Sequence, residues 1–170
     1  MRAWMLAGLL AIGLGGAASA AEIGLVSAIH VSIGPKLAAK ARLYGENDLV
    51  FLQNELEDDV QGQLEAAGLT GPGGARLELT LVDARAGRPT FKELTDHPGL
   101  SFESPRLGGA TIEGALTYPD GRSERIAYVW YEDDIWQEVA GSPWSDAEGV
   151  FQSFARDLMQ GRVFVRGGRG

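Results

Sequence analysis

The chain has 170 residues, a formal net charge of −8, 45% hydrophobic residues and no cysteine. That length and apolar content suit one folded domain with a sizeable core and exclude a disordered chain. The acidity excludes the basic footprint that a nucleic-acid backbone demands and disfavours an anionic membrane surface, so it reads as solubility.

The first segment reads as an export signal. Arg2 supplies a positive charge, Ala3 to about Ala17 is apolar, and Ala18-Ser19-Ala20 places small residues before Ala21-Glu22. This is the three-part plan of a cleavable secretory signal, with the cut expected after Ala20. The apolar run is shorter than a membrane span needs, and Gly13, Gly15 and Gly16 weaken its helical end, so no stable membrane insertion is expected after cleavage. Without a cysteine after the cut, acylation as a lipoprotein is closed. Disulfides, thiol nucleophiles and cysteine zinc sites are closed as well. The expectation is a periplasmic domain spanning residues 21–170.

Leu25–Ile33 is rich in β-branched residues and stops at Gly34-Pro35, which predicts a strand. Leu37–Tyr44 carries both helical and strand signals and stays open. Leu49, Leu52, Leu56, Val60 and Leu64 recur at three- and four-residue steps, which predicts a helix over about 49–67. Asn47 or Asp48 is its expected cap and Gly68 its expected stop. After the turn Gly71-Pro72-Gly73-Gly74, residues 76–82 alternate Leu77, Leu79 and Leu81 with Glu78 and Thr80, a strand with one buried face.

Residues 83–109 show no period and are punctuated by Pro89, Pro98 and Pro105; so long an irregular loop is often functional. Residues 110–118 and 125–131 alternate around Pro119-Asp120-Gly121-Arg122, which predicts an antiparallel hairpin with Ile126, Tyr128 and Trp130 on the core side. A last helix starts near Ser145, where Ser145 and Glu148 have capping-box spacing. It presents Ala147, Val150, Phe151, Phe154 and Leu158, and Gly161 suits its end. Val163-Phe164-Val165 can add a short strand. The order places the chain in the α+β class, as a two-layer α/β sandwich. It should have about four mostly antiparallel strands and two helices on one face.

From Leu77 to Leu158, Gly108-Gly109-Ala110 leads into Ile112-Glu113-Gly114, Asp120-Gly121 forms the hairpin turn, and Trp144-Ser145-Asp146-Ala147 precedes a helix carrying Phe154-Ala155. These features resemble a loose group of proteobacterial envelope proteins of unknown function, many of them lipoproteins. The resemblance implies a small α/β envelope domain and supplies no catalytic residue. The missing acylated cysteine sets this chain apart from the lipoprotein members.

Candidate chemistry is sparse. His30 sits within a strand and reads as a sheet-face residue. His97, beside Asp96 in the long loop, has Ser101 and Ser104 nearby in sequence; a triad of either serine with His97 and Asp96 is what a hydrolase of a cell-wall or lipid-derived ester needs, but no nucleophile-elbow sequence accompanies them. Glu132, Asp133, Asp134 and Glu138 offer carboxylates of the kind calcium takes, without an EF-hand pattern. Trp130, Trp136 and Trp144 gather with Tyr128 and Tyr131 around the hairpin exit, where rings can close the core or anchor a partner. Trp136 is the expected exposed ring, and Trp144 the expected staple on the last helix. No phosphate-binding or dinucleotide fingerprint occurs among the glycines. The leading expectation is a non-catalytic periplasmic protein that binds an envelope protein, with Arg88, His97 and Trp136 as candidate binding residues and no cofactor or metal. A hydrolase and a small-ligand or calcium carrier are the alternatives; no oligomeric state is assigned.

Overall fold

A computed structural model describes residues 23–133 and 141–165. The expected signal segment, the tail beyond Val165 and the stretch holding Asp134, Trp136 and Glu138 lie outside the described residues.

The chain enters with β1 (Val26–Ile33) and turns through two short helices, α1 (Pro35–Ala38) and α2 (Ala41–Tyr44). The mixed signals of residues 37–44 resolve into these two helical turns. The long helix α3 (Glu46–Ala66) follows. Its buried residues are Leu49, Leu52, Leu56, Val60 and Leu64, the five expected from the spacing. Gly68, at φ +68°, stops it as expected. Its start differs: the helix begins at Glu46 with Gly45 at the N-cap and no side-chain cap, which puts Asn47 and Asp48 inside the first turn, where Asp48 accepts from the indole of Trp144.

β2 (Ala75–Arg85) alternates as read, with Leu77, Leu79 and Leu81 buried. β3 (Gly109–Thr117) and β4 (Ser123–Tyr131) form the expected hairpin. At its turn, Arg122 N–H donates to the Asp120 carboxylate at 2.9 Å and Gly121 takes φ +84°. The sheet order is β1-β2-β3-β4; β1 pairs parallel with β2, and the other two pairings are antiparallel. α5 (Ser145–Met159) crosses back beside α3 on the same sheet face. Residues 163–165 add a short antiparallel bridge to the outer side of β4 through Phe164 and Ile126.

This is the α+β, two-layer architecture expected, with a mixed and open sheet. One core lies between the sheet and the helix pair: Val31, Leu77, Leu79, Leu81, Ile112 and Leu116 meet Leu52, Leu56, Phe151, Phe154 and Leu158. Burying a side chain of this size is worth about 1.5–3 kcal/mol. The opposite sheet face exposes His30, Arg76, Glu78, Glu113 and Arg125.

Three local expectations are corrected. Residues 83–109 are less irregular than their punctuation implied: β2 runs to Arg85, and α4 (Phe91–Asp96) forms within the segment. The capping box expected at Ser145/Glu148 is absent. Trp144 takes that N-cap without a side-chain capping bond, while Ser142 Oγ donates to Glu148. The capping box is found at Thr90/Glu93, where both reciprocal bonds are present. Trp144 occupies the N-cap itself rather than the position before it that a staple uses. It is buried edge-on against Tyr44, with ring centroids 4.9 Å apart, so it ties the start of α5 to α2 and α3.

Candidate functional site

The segment between β2 and β3 is held by polar side chains. Thr90 is buried, accepts from Glu93 N–H at 3.3 Å, and donates its own N–H to Glu93 Oε2 at 2.9 Å. The other oxygen of buried Glu93 accepts from Arg106 at 2.6 Å. Arg88 is buried, pairs with Glu103 at 3.3 Å and lies over the Phe102 ring. Backbone bonds from Gly87 N–H to Pro143 and from Glu132 N–H to Gly108 fasten the segment to the entry of α5 and the exit of β4.

The structure does not gather the residues of the hydrolase reading into a catalytic array. The Asp96 carboxylate accepts from Lys92 at 2.7 Å, and Ser101 Oγ accepts from Glu103 N–H at 3.1 Å. His97 is exposed, and among the described residues its ring makes no hydrogen bond to either serine or to Asp96. A triad requires both bonds to the imidazole. Arg88 and His97 therefore sit in different surroundings, one enclosed within the segment and one at its surface. Trp136 lies outside the described residues. His30 is exposed on the open sheet face. Among the described residues no three His, Asp or Glu side chains are grouped to hold a metal ion.

The aromatic cluster at the hairpin exit does form a recess. Parity along β4 places Tyr128 and Trp130 on the helix side of the sheet, opposite Ile112 and Ala110. Tyr128 is held edge-on by Phe154, with centroids 5.6 Å apart. Burial first, and then the neighbouring Asp157 carboxylate, raise its phenol above the ordinary tyrosine value, so it stays neutral at physiological pH. Trp130 was expected in the core, but it is 44% exposed. The cause is on α5: Ser145, Gly149 and Ser153 stand four residues apart, so they share one helical side, and all are small. Nothing lies within 4 Å of where a Gly149 Cβ would be. The missing side chains leave a cleft of about 300 Å³ lined by Tyr128, Trp130, Asp146, Gly149, Val150 and the two serines.

Asp146 marks the join between cleft and loop. Its carboxylate packs against the backbone of Gly87 and Gly108, and a Cβ on either glycine would collide with it. The signal that sequence reasoning passed over was this four-residue spacing of small side chains on a helix facing an aromatic strand.

The chain matches no protein-family model, no curated protein and no solved structure. Among the described residues no helix is long and apolar enough to cross a membrane.

Proposed function

We propose that this chain is a non-catalytic, exported, envelope-associated protein that binds a protein partner through the cleft between β4 and α5. The observation that carries the reading is Trp130, a tryptophan 44% exposed at a cleft of about 300 Å³. Tryptophan is enriched among the residues that dominate binding energy when a partner completes their burial. The volume is at the small end for a drug-sized ligand and fits one or two inserted side chains. Ser145, Ser153 and Asp146 supply polar groups at the rim. The export signal read at residues 1–20 and the resemblance to envelope proteins support a periplasmic compartment.

Gly149→Leu tests this without removing an interaction from the fold. Leucine is a better helix former than glycine by about 0.8 kcal/mol, and the site has room for it, so thermal stability should hold or rise. The new side chain fills the cleft. A photo-crosslinking residue placed at Ser153 should join the exported protein to a discrete envelope partner, and Gly149→Leu and Trp130→Ala should both abolish that adduct. A crosslink that persists in both variants would sink the reading.

A further inference from the structure

A second surface, independent of the cleft, lies along the free edge of the sheet. β1 is an edge strand of 8 residues. Its backbone alternation is set by two bonds. Gly34 N–H points inward to Leu81 O at 2.9 Å, while Val31 C=O points outward and accepts from the Gln53 side chain at 2.8 Å. In a strand, the N–H and C=O of one residue point to the same side, and alternate residues point to opposite sides. The N–H groups of Ile29, Val31 and Ile33, and the C=O of Ile29, therefore face away from β2. Among the described residues no group bonds to them. Ile29 and Ile33 are part-exposed, whereas Val31 is fully buried beside the Gln53 side chain that covers its carbonyl.

The same edge already accepts a strand-like segment one step earlier. Val26 donates to Leu69 O at 2.7 Å and accepts from Gly71 N–H at 3.0 Å, a parallel bridge centred on Thr70. Where that segment leaves, a groove of about 420 Å³ begins, floored by residues 26–29 and walled by Glu57, Gln61 and Glu65 of α3. The three wall residues stand four apart and so share one helical side along the strand. The groove thus couples the unpaired N–H and C=O of Ile29 to an acidic wall, and the edge continues beyond it to Ile33.

We propose that the outer edge of β1 takes an extended segment of a partner protein carrying basic side chains, which continues the sheet past Thr70 and sets Lys or Arg against Glu57 and Glu65. Strand addition of this kind draws affinity from main-chain hydrogen bonds and specificity from the side chains that line the groove. A second copy of this chain fits poorly. Its β1 carries no Lys or Arg, and it would bring a second Glu57 and Glu65 to the junction of two chains each of net charge −8. The Gln53 amide on the Val31 carbonyl occupies one acceptor and must swing aside when a strand adds.

The probe is a synthetic peptide of about ten residues alternating Val and Lys, long enough to span the edge. Two controls accompany it: the Val/Glu counterpart, and a Lys peptide of equal charge with prolines that remove its pairing N–H groups. Amide hydrogen exchange and chemical shifts of the full exported domain are the readout. The Val/Lys peptide should protect the part-exposed Ile29 and Ile33 amides, and neither control should. Glu57→Lys with Glu65→Lys should weaken binding about tenfold, from two lost exposed pairs and the repulsion that replaces them. Gln53→Ala frees the Val31 carbonyl and should tighten binding about threefold, which keeps the test valid should the charge reversals disturb folding. Equal binding of the proline-bearing peptide would reduce the effect to bulk charge, and equal binding of the Val/Glu peptide would remove the acidic wall from the account. Protection of the same amides by self-association would assign the edge to a second copy. Each of these overturns the proposal. Trp130→Ala should leave peptide binding unchanged, so failure here and failure of the cleft reading are separable.

Discussion

Asp83 is 1% exposed and receives two cations, Lys36 at 2.7 Å and Lys40 at 2.5 Å. Burial pushes its carboxyl upward, but the hydrogen bonds and charges of the two lysines outweigh this and hold it below the usual carboxylate value. Lys40 also donates to Ala84 O at 3.0 Å, so the short helices α1 and α2 are pinned to the end of β2. A depressed acid contributes stability that is in place above its unfolded pKa of about 3.9 and is lost as pH falls through the lower folded value. Lys36, raised chiefly by its hydrogen bond to Asp83 and then by the charge of Asp83, acts in the opposite direction. Its share is complete below about 10.4 and is lost only as pH rises through its higher folded value. Asp83→Asn should cost about 1–3 kcal/mol near neutral pH. The lower part of that range is favoured because Lys36 is mostly exposed and returns to water. Urea unfolding at pH 7 and pH 2.5 checks it: the difference between wild type and variant should shrink at the lower pH.

At the scale of elements, α4 shows how a helix of 6 residues forms with no periodic signal. It is too short for an apolar stripe, so its stability comes from its ends. Thr90 and Glu93 satisfy each other's backbone N–H groups, and Arg106 neutralises the buried carboxylate. Thr90→Ala removes the cap and leaves Glu93 N–H without its acceptor, at a cost of about 1–2 kcal/mol. Denaturation measures the total, and hydrogen exchange should localise the loss to residues 91–97. α5 contrasts with it. Its amphipathic face is local and legible, yet its start is set by Trp144 docking on Tyr44 and Asp48, nearly a hundred residues away in sequence. Long-range packing there displaced the local capping signal at Ser145 and Glu148.

Across the whole molecule, the two long helices bring acids together. Asp59 on α3 is partly buried; burial first, and then Glu55, Glu148 on α5 and Asp58, raise its carboxyl above the ordinary value. An acid raised in the folded state binds its proton more tightly there than in the unfolded chain. Stability therefore falls as pH rises through the window between about 3.9 and the folded value, and the penalty persists above it. Asp59→Asn should relieve that strain and raise stability at pH 7 by about 0.5 kcal/mol, with no gain at pH 3. Thermal unfolding at the two pH values decides it; a loss at pH 7 would show that the carboxylate is needed between the helices.

The periodic features were determined by sequence alone. The leucine steps of α3, the alternation of β2 and the hairpin around Asp120-Gly121 each repeat a local preference over enough residues to fix element and face. Tertiary structure decided what depends on a neighbour supplied from elsewhere in the chain. The parallel pairing that leaves β1 on an edge follows from how the crossover helix α3 returns the chain to the sheet. The ion cluster at Asp83 draws on two helices and a strand. Trp130 has core-side parity in its strand, and that parity was readable; its exposure was not, because exposure depends on the small residues that α5 sets opposite it. A strand pattern states which way a side chain points, whereas only packing states whether anything is there to meet it.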